Sequence, residues 1–173
     1  MVEAVVGERR RAGFSPPAIA RLIALLLPLA LLGGALGSQY LGGLHPCEMC
    51  YWQRWPHAAA IILAALAFTG PAESRRSRAL TLLAALGIAI SGAIGVYHAG
   101  VEAKIFEGFT QCTATGKGLS TADLLKHIVN APLVRCDEVQ FRFLGISMAG
   151  WNAILSLSGA ALIAILALKP NRA

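Results

Sequence analysis

The chain has 173 residues, 56% of them hydrophobic and 14% charged, with a formal net charge of +6 and a mean hydropathy of +0.62. A soluble domain carries about a quarter charged residues, so this composition excludes an ordinary soluble protein and points to a membrane one. The basic excess sits in short flanks between apolar runs, not in one continuous patch, which argues against nucleic-acid binding.

A membrane span needs about 20 mostly apolar residues. Four segments qualify, at roughly 22–41, 51–69, 79–97 and 148–168. The predicted fold is therefore all-α: a four-transmembrane-helix bundle forming a single integral membrane domain over residues 1–173. A short loop (about 42–50) and a long one (about 98–147) join the spans on the same side. Arg9, Arg10, Arg11 and Arg21 precede the first span, Arg75, Arg76 and Arg78 fill the link between spans two and three, and Lys169 and Arg172 follow the fourth. Those nine of fifteen basic residues lie on one face of a four-span protein. The positive-inside pattern puts that face, and both termini, in the cytoplasm. The long loop carries five basic and five acidic residues and faces outward.

In the first segment, Arg9 to Arg11, an apolar run and Ala35-Leu36-Gly37 also resemble a cleavable export signal. The run is long for a signal, and Gly33, Gly34 and Gly37 suit close helix packing, so retention is the reading adopted. Pro16-Pro17 ends the cytoplasmic arm. In the short outward loop His45-Pro46 breaks the helix just before Cys47-Glu48-Met49-Cys50.

A pair of cysteines separated by two residues either closes a readily broken disulfide or holds a soft metal. A helix starting at Cys47 or Glu48 puts the pair at its N-terminal end, where unpaired backbone N–H groups favour a thiolate. Arg54 and His57 share a helical face with both cysteines. An arginine this far into a span is a functional candidate by default. The bland alternative has it snorkel to the interface beside Tyr51, Trp52 and Trp55. His57 reads equally as a ligand or as a packed polar residue.

At the outer end of the third span, His98 is placed to hydrogen-bond a bound carbonyl or carry a proton, with Glu102 four residues on to orient it. In the long loop, Ser120-Thr121-Ala122-Asp123 resembles a capping box, and Leu124, Leu125, Ile128 and Val129 share one face of the short helix it would start. Cys112 and Cys136 flank this segment with 23 residues between them. A disulfide closing such a loop stabilises it by roughly 3–4 kcal/mol on the chain-entropy model. All four cysteines lie on the outward side, where disulfides persist, and three connectivities are open. His45 and His127 are weaker candidates. Asn152, at the mouth of the fourth span, is expected to bond between helices. A four-thiolate zinc site is disfavoured by the 61 residues between Cys50 and Cys112 and by the lack of a second Cys-x-x-Cys, so no metal is expected.

The segments His-Pro-Cys-Glu-Met-Cys-Tyr-Trp-Gln-Arg-Trp-Pro (45–56), Tyr-His-Ala-Gly-Val-Glu (97–102) and Gly-Ile-Ser-Met-Ala-Gly-Trp-Asn (145–152) resemble signatures of the DsbB family, the bacterial disulfide bond formation proteins B. The resemblance covers nearly everything from the first span onward. It implies an inner-membrane protein-dithiol:quinone oxidoreductase with its cysteines in the periplasm. A periplasmic thioredoxin-like partner of the DsbA type attacks a Cys112–Cys136 disulfide, forming a mixed disulfide with Cys112. Cys136 then attacks at Cys47, and Cys50 as thiolate passes the electrons to ubiquinone or menaquinone. Arg54 and His98 match the positions the family places beside the quinone. Gln53 stands where a well-known member has glutamate. A DsbA-type dithiol at about −120 mV cannot pass electrons to glutathione at about −240 mV without a cost of about 5.6 kcal/mol, so the acceptor must be more oxidising. Two alternatives differ in class. Vitamin K epoxide reductase-type enzymes carry their Cys-x-x-Cys late in the bundle, and a membrane scaffold with structural disulfides leaves Arg54 unexplained.

Overall fold

The structure, a computed structural model, describes residues 15–108 and 134–169. Cys112, His127, the Ser120–Asp123 capping box with its short helix, and the flanking Arg9–Arg11 and Arg172 lie outside the described residues.

Four helices make up the described fold: α1 (Pro16–Tyr40), α2 (Glu48–Ala67), α3 (Arg75–Glu102) and α4 (Met148–Leu168). The last matches its expected span, whereas α1 runs past its own at the basic end and α3 past its own at both ends, so that residues 98–102, expected in the outward loop, are helical. Pro16 and Pro17 form the first turn of α1, which opens from Ser15. A proline in the first turn gives up an N–H that has no helical partner anyway. Ser74 caps α3 by accepting from the Ser77 N–H at 3.1 Å, and Ser147 caps α4 by accepting from Gly150 N–H at 3.1 Å.

Three of these helices, α1, α3 and α4, are long and apolar enough to cross a membrane. The polar first half of α2, with Glu48, Gln53, Arg54 and His57, keeps it below that mark, yet it packs into the same bundle against α3 and α1. Helix α3 is the hub, with its broadest contacts to α4 and α2. A small-residue core of Ala20, Ala24, Ala60, Ala64, Ala84, Ala160, Ile88 and Ile163 fills the centre. Small residues let helix backbones approach, which is how packing is gained where lipid removes the hydrophobic drive.

The close-packing glycines are not those expected. A Cβ on Gly33, Gly34 or Gly37 of α1 meets nothing within 4 Å. The tight approach is on α3, where a Cβ on Gly95 would sit 3.0 Å from Ala149 O and 3.1 Å from Ala153 N, and one on Gly92 2.9 Å from Leu157 Cγ. The glycines of α1 leave a wall open instead of closing an interface.

At the basic end, Arg21 donates to Gly70 O at 3.0 Å and lies 4.5 Å above the Phe68 ring, satisfying carbonyls at the α2 C-terminus. At the other end, before α4, Arg142–Phe143 (β1) pairs antiparallel with Ile146–Ser147 (β2) around Leu144 and Gly145, whose φ angles are 52° and 81°. Two consecutive positive φ values are what a tight two-residue hairpin requires. Trp151 Nε1 donates to Phe143 O at 2.9 Å and fastens the hairpin to α4.

Candidate redox site

Cys47 is the N-cap of α2, but its side chain makes no capping bond, so its sulfur is left for other partners. Cys50 lies one turn in, with its sulfur 3.1 Å from that of Cys47. Cys136 comes from the far end of the chain to join them. It is 1% exposed and packs with Cys47, Met49 and Val101. The Cys47 and Cys136 sulfurs and a His98 ring nitrogen all lie within 4.8 Å of one another. None of the three described cysteines is in a disulfide.

The segment bearing Cys136 is held by polar ties. Asp137 pairs with Arg135 at 2.7 Å and with Lys104, just past the end of α3, at 2.5 Å. Those two cations hold the Asp137 carboxyl well below the usual carboxylate range. Gln140 donates to His45 O at 2.6 Å, joining the segment to the loop that leads into Cys47.

The three sulfurs are not equivalent. The hydrogen bond from Cys47 lowers the Cys136 thiol from 9.0 to about 7 against the opposing effect of burial, with the backbone of Met49 and Glu48 helping. The Cys47 thiol is pushed up, because it gives hydrogen bonds to Cys136 and Cys50 and is buried. With all three sulfurs reduced, Cys136 is thus the more acidic of this pair and Cys47 the proton-bearing neighbour. The expectation that the helix terminus would make both α2 cysteines more acidic does not hold at Cys47.

His98 is 3% exposed, with Nε2 3.5 Å from Cys47 Sγ and Nδ1 2.8 Å from Gln53 Nε2. Glu102 stands 3.9 Å from Nε2, beyond hydrogen-bond distance, so Gln53 orients the ring, not the expected Glu102. Asn152 donates to Gln53 Oε1 at 2.8 Å and to Ser91 O at 3.2 Å, and its Oδ1 faces His57 Nε2 at 2.9 Å. The expected interhelical bonding of Asn152 is borne out, and His57 is a packed polar residue in this network, although its Nδ1 has no hydrogen-bond partner among the described residues. Gln53 carried no clear role in the sequence, because its significance depends on which residues α3 and α4 bring to it.

These groups border a cavity of about 620 Å³ with mostly apolar walls. Cys47, Cys50, Arg54 and His57 line it from α2, Gly34 from α1 and Trp151 from α4. Arg54 is half-buried. It donates to Gln39 Oε1 at 2.5 Å and Ala35 O at 3.2 Å on α1, and lies 5.2 Å from the Tyr51 ring centroid. The guanidinium is therefore fixed at the cavity wall by α1.

The family described as disulfide bond formation protein DsbB matches residues 17–166. Disulfide bond formation protein B of Methylococcus capsulatus is 35% identical over 145 residues, covering 79% of this chain and 85% of its own. The corresponding protein of Acinetobacter baylyi is 30% identical, covering 76% and 81%, and disulfide bond formation protein B 1 of Pseudomonas fluorescens Pf-5 is 33% identical, covering 77% and 72%. No solved structure matches significantly. With its three membrane-length helices and a match that runs through all four helices to near the end of α4, the chain is an integral membrane protein of the disulfide bond formation protein B family.

Proposed function

We propose that this protein is a disulfide-generating oxidoreductase that takes electrons from a periplasmic dithiol protein of the DsbA type and delivers them to a membrane quinone. The observation that carries this reading is Cys136 beside Cys47, with Cys50 opening onto an apolar cavity that holds Arg54. In this reading residues 1–173 form one membrane domain in the bacterial inner membrane. Helix α2 is a fourth span, its polar groups shielded by the bundle, with both termini cytoplasmic and the cysteines periplasmic.

The relay conserves electrons at each exchange. The partner thiolate attacks Cys112 of a Cys112–Cys136 disulfide, so a mixed disulfide forms and Cys136 leaves with the electron pair. Cys136, released as the thiolate, attacks Cys47 of a Cys47–Cys50 disulfide, and Cys50 leaves as thiolate at the cavity. The partner's second thiol resolves the mixed disulfide and leaves oxidised. A quinone, when bound, accepts two electrons and two protons.

The cavity fits such a group in size and character. Small-molecule sites run to about 300–1,000 Å³ with apolar walls and few polar groups. Gly34 of α1, with no side chain to fill the wall, provides room, and Arg54 supplies a cation for a reduced ring oxygen. Ubiquinone and menaquinone share these requirements.

The test is quinone absorbance after mixing detergent-solubilised protein with a reduced DsbA-type protein. Catalytic bleaching that disappears in Cys47→Ser and in Cys50→Ser is expected. Full activity in either variant overturns the reading.

A further inference from the structure

The polarity of the buried hydrogen bonds around His98 can be read without ambiguity, because two backbone carbonyls anchor it. A carbonyl only accepts. Gln53 has its nitrogen 3.1 Å from Met49 O, so that atom is the amide NH2 and donates there. Its second N–H points at His98 Nδ1, 2.8 Å away, which must therefore be the bare, accepting nitrogen. Asn152 is fixed in the same way, by Ser91 O at 3.2 Å, and its other N–H goes to Gln53 Oε1 at 2.8 Å. Each amide holds the next in one orientation, and no flip of either satisfies both carbonyls.

We infer that Gln53, held by Asn152, is a positioning residue that fixes His98 as its Nε2–H tautomer, so that the ring presents a proton donor and not a base to the Cys47 sulfur. The groups near Nε2 agree with a proton there: Cys47 Sγ at 3.5 Å can accept, and the Glu102 carboxylate at 3.9 Å, though beyond hydrogen-bond distance, favours the positive N–H edge of the ring. Protonating Nδ1 as well would set its N–H against the Gln53 N–H, so the network also opposes an imidazolium.

The functional meaning of this arrangement rests on the redox reading above. When Cys112 attacks Cys136 of a Cys47–Cys136 disulfide, the 112–136 bond forms and the 47–136 bond breaks. The electron pair stays on Cys47 Sγ, where the His98 N–H meets the new thiolate with a charge-assisted hydrogen bond. Cys47 then becomes a better leaving sulfur without any proton being removed from it by His98. A glutamate at position 53 would do the opposite. Its carboxylate accepts from Nδ1–H, leaving Nε2 bare as a base toward Cys47.

The test uses the full-length, reduced protein in detergent with ¹⁵N-labelled histidine. Long-range ¹H–¹⁵N spectra distinguish the two neutral tautomers and the imidazolium, and His98→Gln identifies the signal. The Nε2–H tautomer is expected for the wild type at pH 7, with conversion to Nδ1–H in Gln53→Glu and loss of a single tautomer in Asn152→Leu. A wild-type Nδ1–H tautomer or imidazolium overturns the inference, and needs no variant to fold. A second readout is methylthiolation of Cys47 in protein whose other three cysteines are serine. A fall of about tenfold in rate at pH 7 is expected in Gln53→Glu, the effect of one hydrogen bond to a charged sulfur, and an unchanged rate counts against the donor role. Neither readout requires a quinone or a partner protein. Loss of the redox reading with the tautomer intact, and the reverse, are therefore separate results.

Discussion

Replacing Cys47 by alanine is expected to return Cys136 toward an ordinary thiol, because the Cys47 hydrogen bond is the largest influence holding it at about 7 from 9.0. At pH 7 a thiol with a pKa of about 7 is half ionised, and one at about 9 is about 1% ionised, a difference of about fiftyfold in thiolate. Lower basicity weakens each thiolate as a nucleophile by about eightfold over two pK units, so the net gain in exchange rate is about sixfold. The sign follows from the lowered value. Thiolate is present above about pH 7 and is lost as the pH falls through it. The assay is thiolate absorbance against pH in Cys50→Ser/Cys112→Ser protein kept reduced by a phosphine, with and without Cys47→Ala. Absorbance reads the thiolate directly at a sulfur only 1% exposed. A midpoint near 7 that climbs toward 9 without Cys47 is expected. It should stop short of 9, because the Met49 and Glu48 backbone contacts remain. A midpoint near 9 in both proteins would refute the reasoning.

Gly95→Ala is expected to cost about 1–3 kcal/mol, since its Cβ meets the α4 backbone and α4 must shift; thermal unfolding in detergent measures this, and an unchanged midpoint contradicts the close α3–α4 approach. For Arg54→Ala, an apparent Michaelis constant for quinone raised about tenfold is expected from loss of one charged hydrogen bond, with no change returning the arginine to a purely structural contact with Gln39 and Ala35. Elemental analysis should find no stoichiometric zinc in the purified protein, although Cys47, His98 and Cys136 are close enough to hold one; one zinc per chain would make the cluster a metal site.

Much of the fold was legible because its signals are local. Apolar run length located all four helices, and the fourth segment, expected from residue 148, begins at Met148 in the structure. Cys-x-x-Cys with Arg54 and His57 at helical spacing pointed to one face, and all of these residues line the cavity. What was not legible depends on how helices rotate against each other. Gln53 gains its importance from His98, 45 residues away, and from Asn152, 99 residues away. Gln39 gains its own from Arg54, across the α1–α2 interface. Glycines in an apolar run read the same whether they admit a neighbouring helix, as Gly92 and Gly95 do, or leave space, as Gly34 does. The weak apolar character of α2 was visible in sequence, and the reason for it is the hydrogen-bonded network its polar residues enter inside the bundle.

The central claim is that Cys136 and Cys47 exchange a disulfide directly. It is tested most simply in Cys50→Ser/Cys112→Ser protein, where only those two sulfurs remain, by mild oxidation with diamide and peptide mass mapping. Their 4.8 Å or closer approach leads to near-complete formation of the Cys47–Cys136 bond. Two free thiols persisting, under conditions that oxidise a control protein retaining only Cys112 and Cys136, would contradict it.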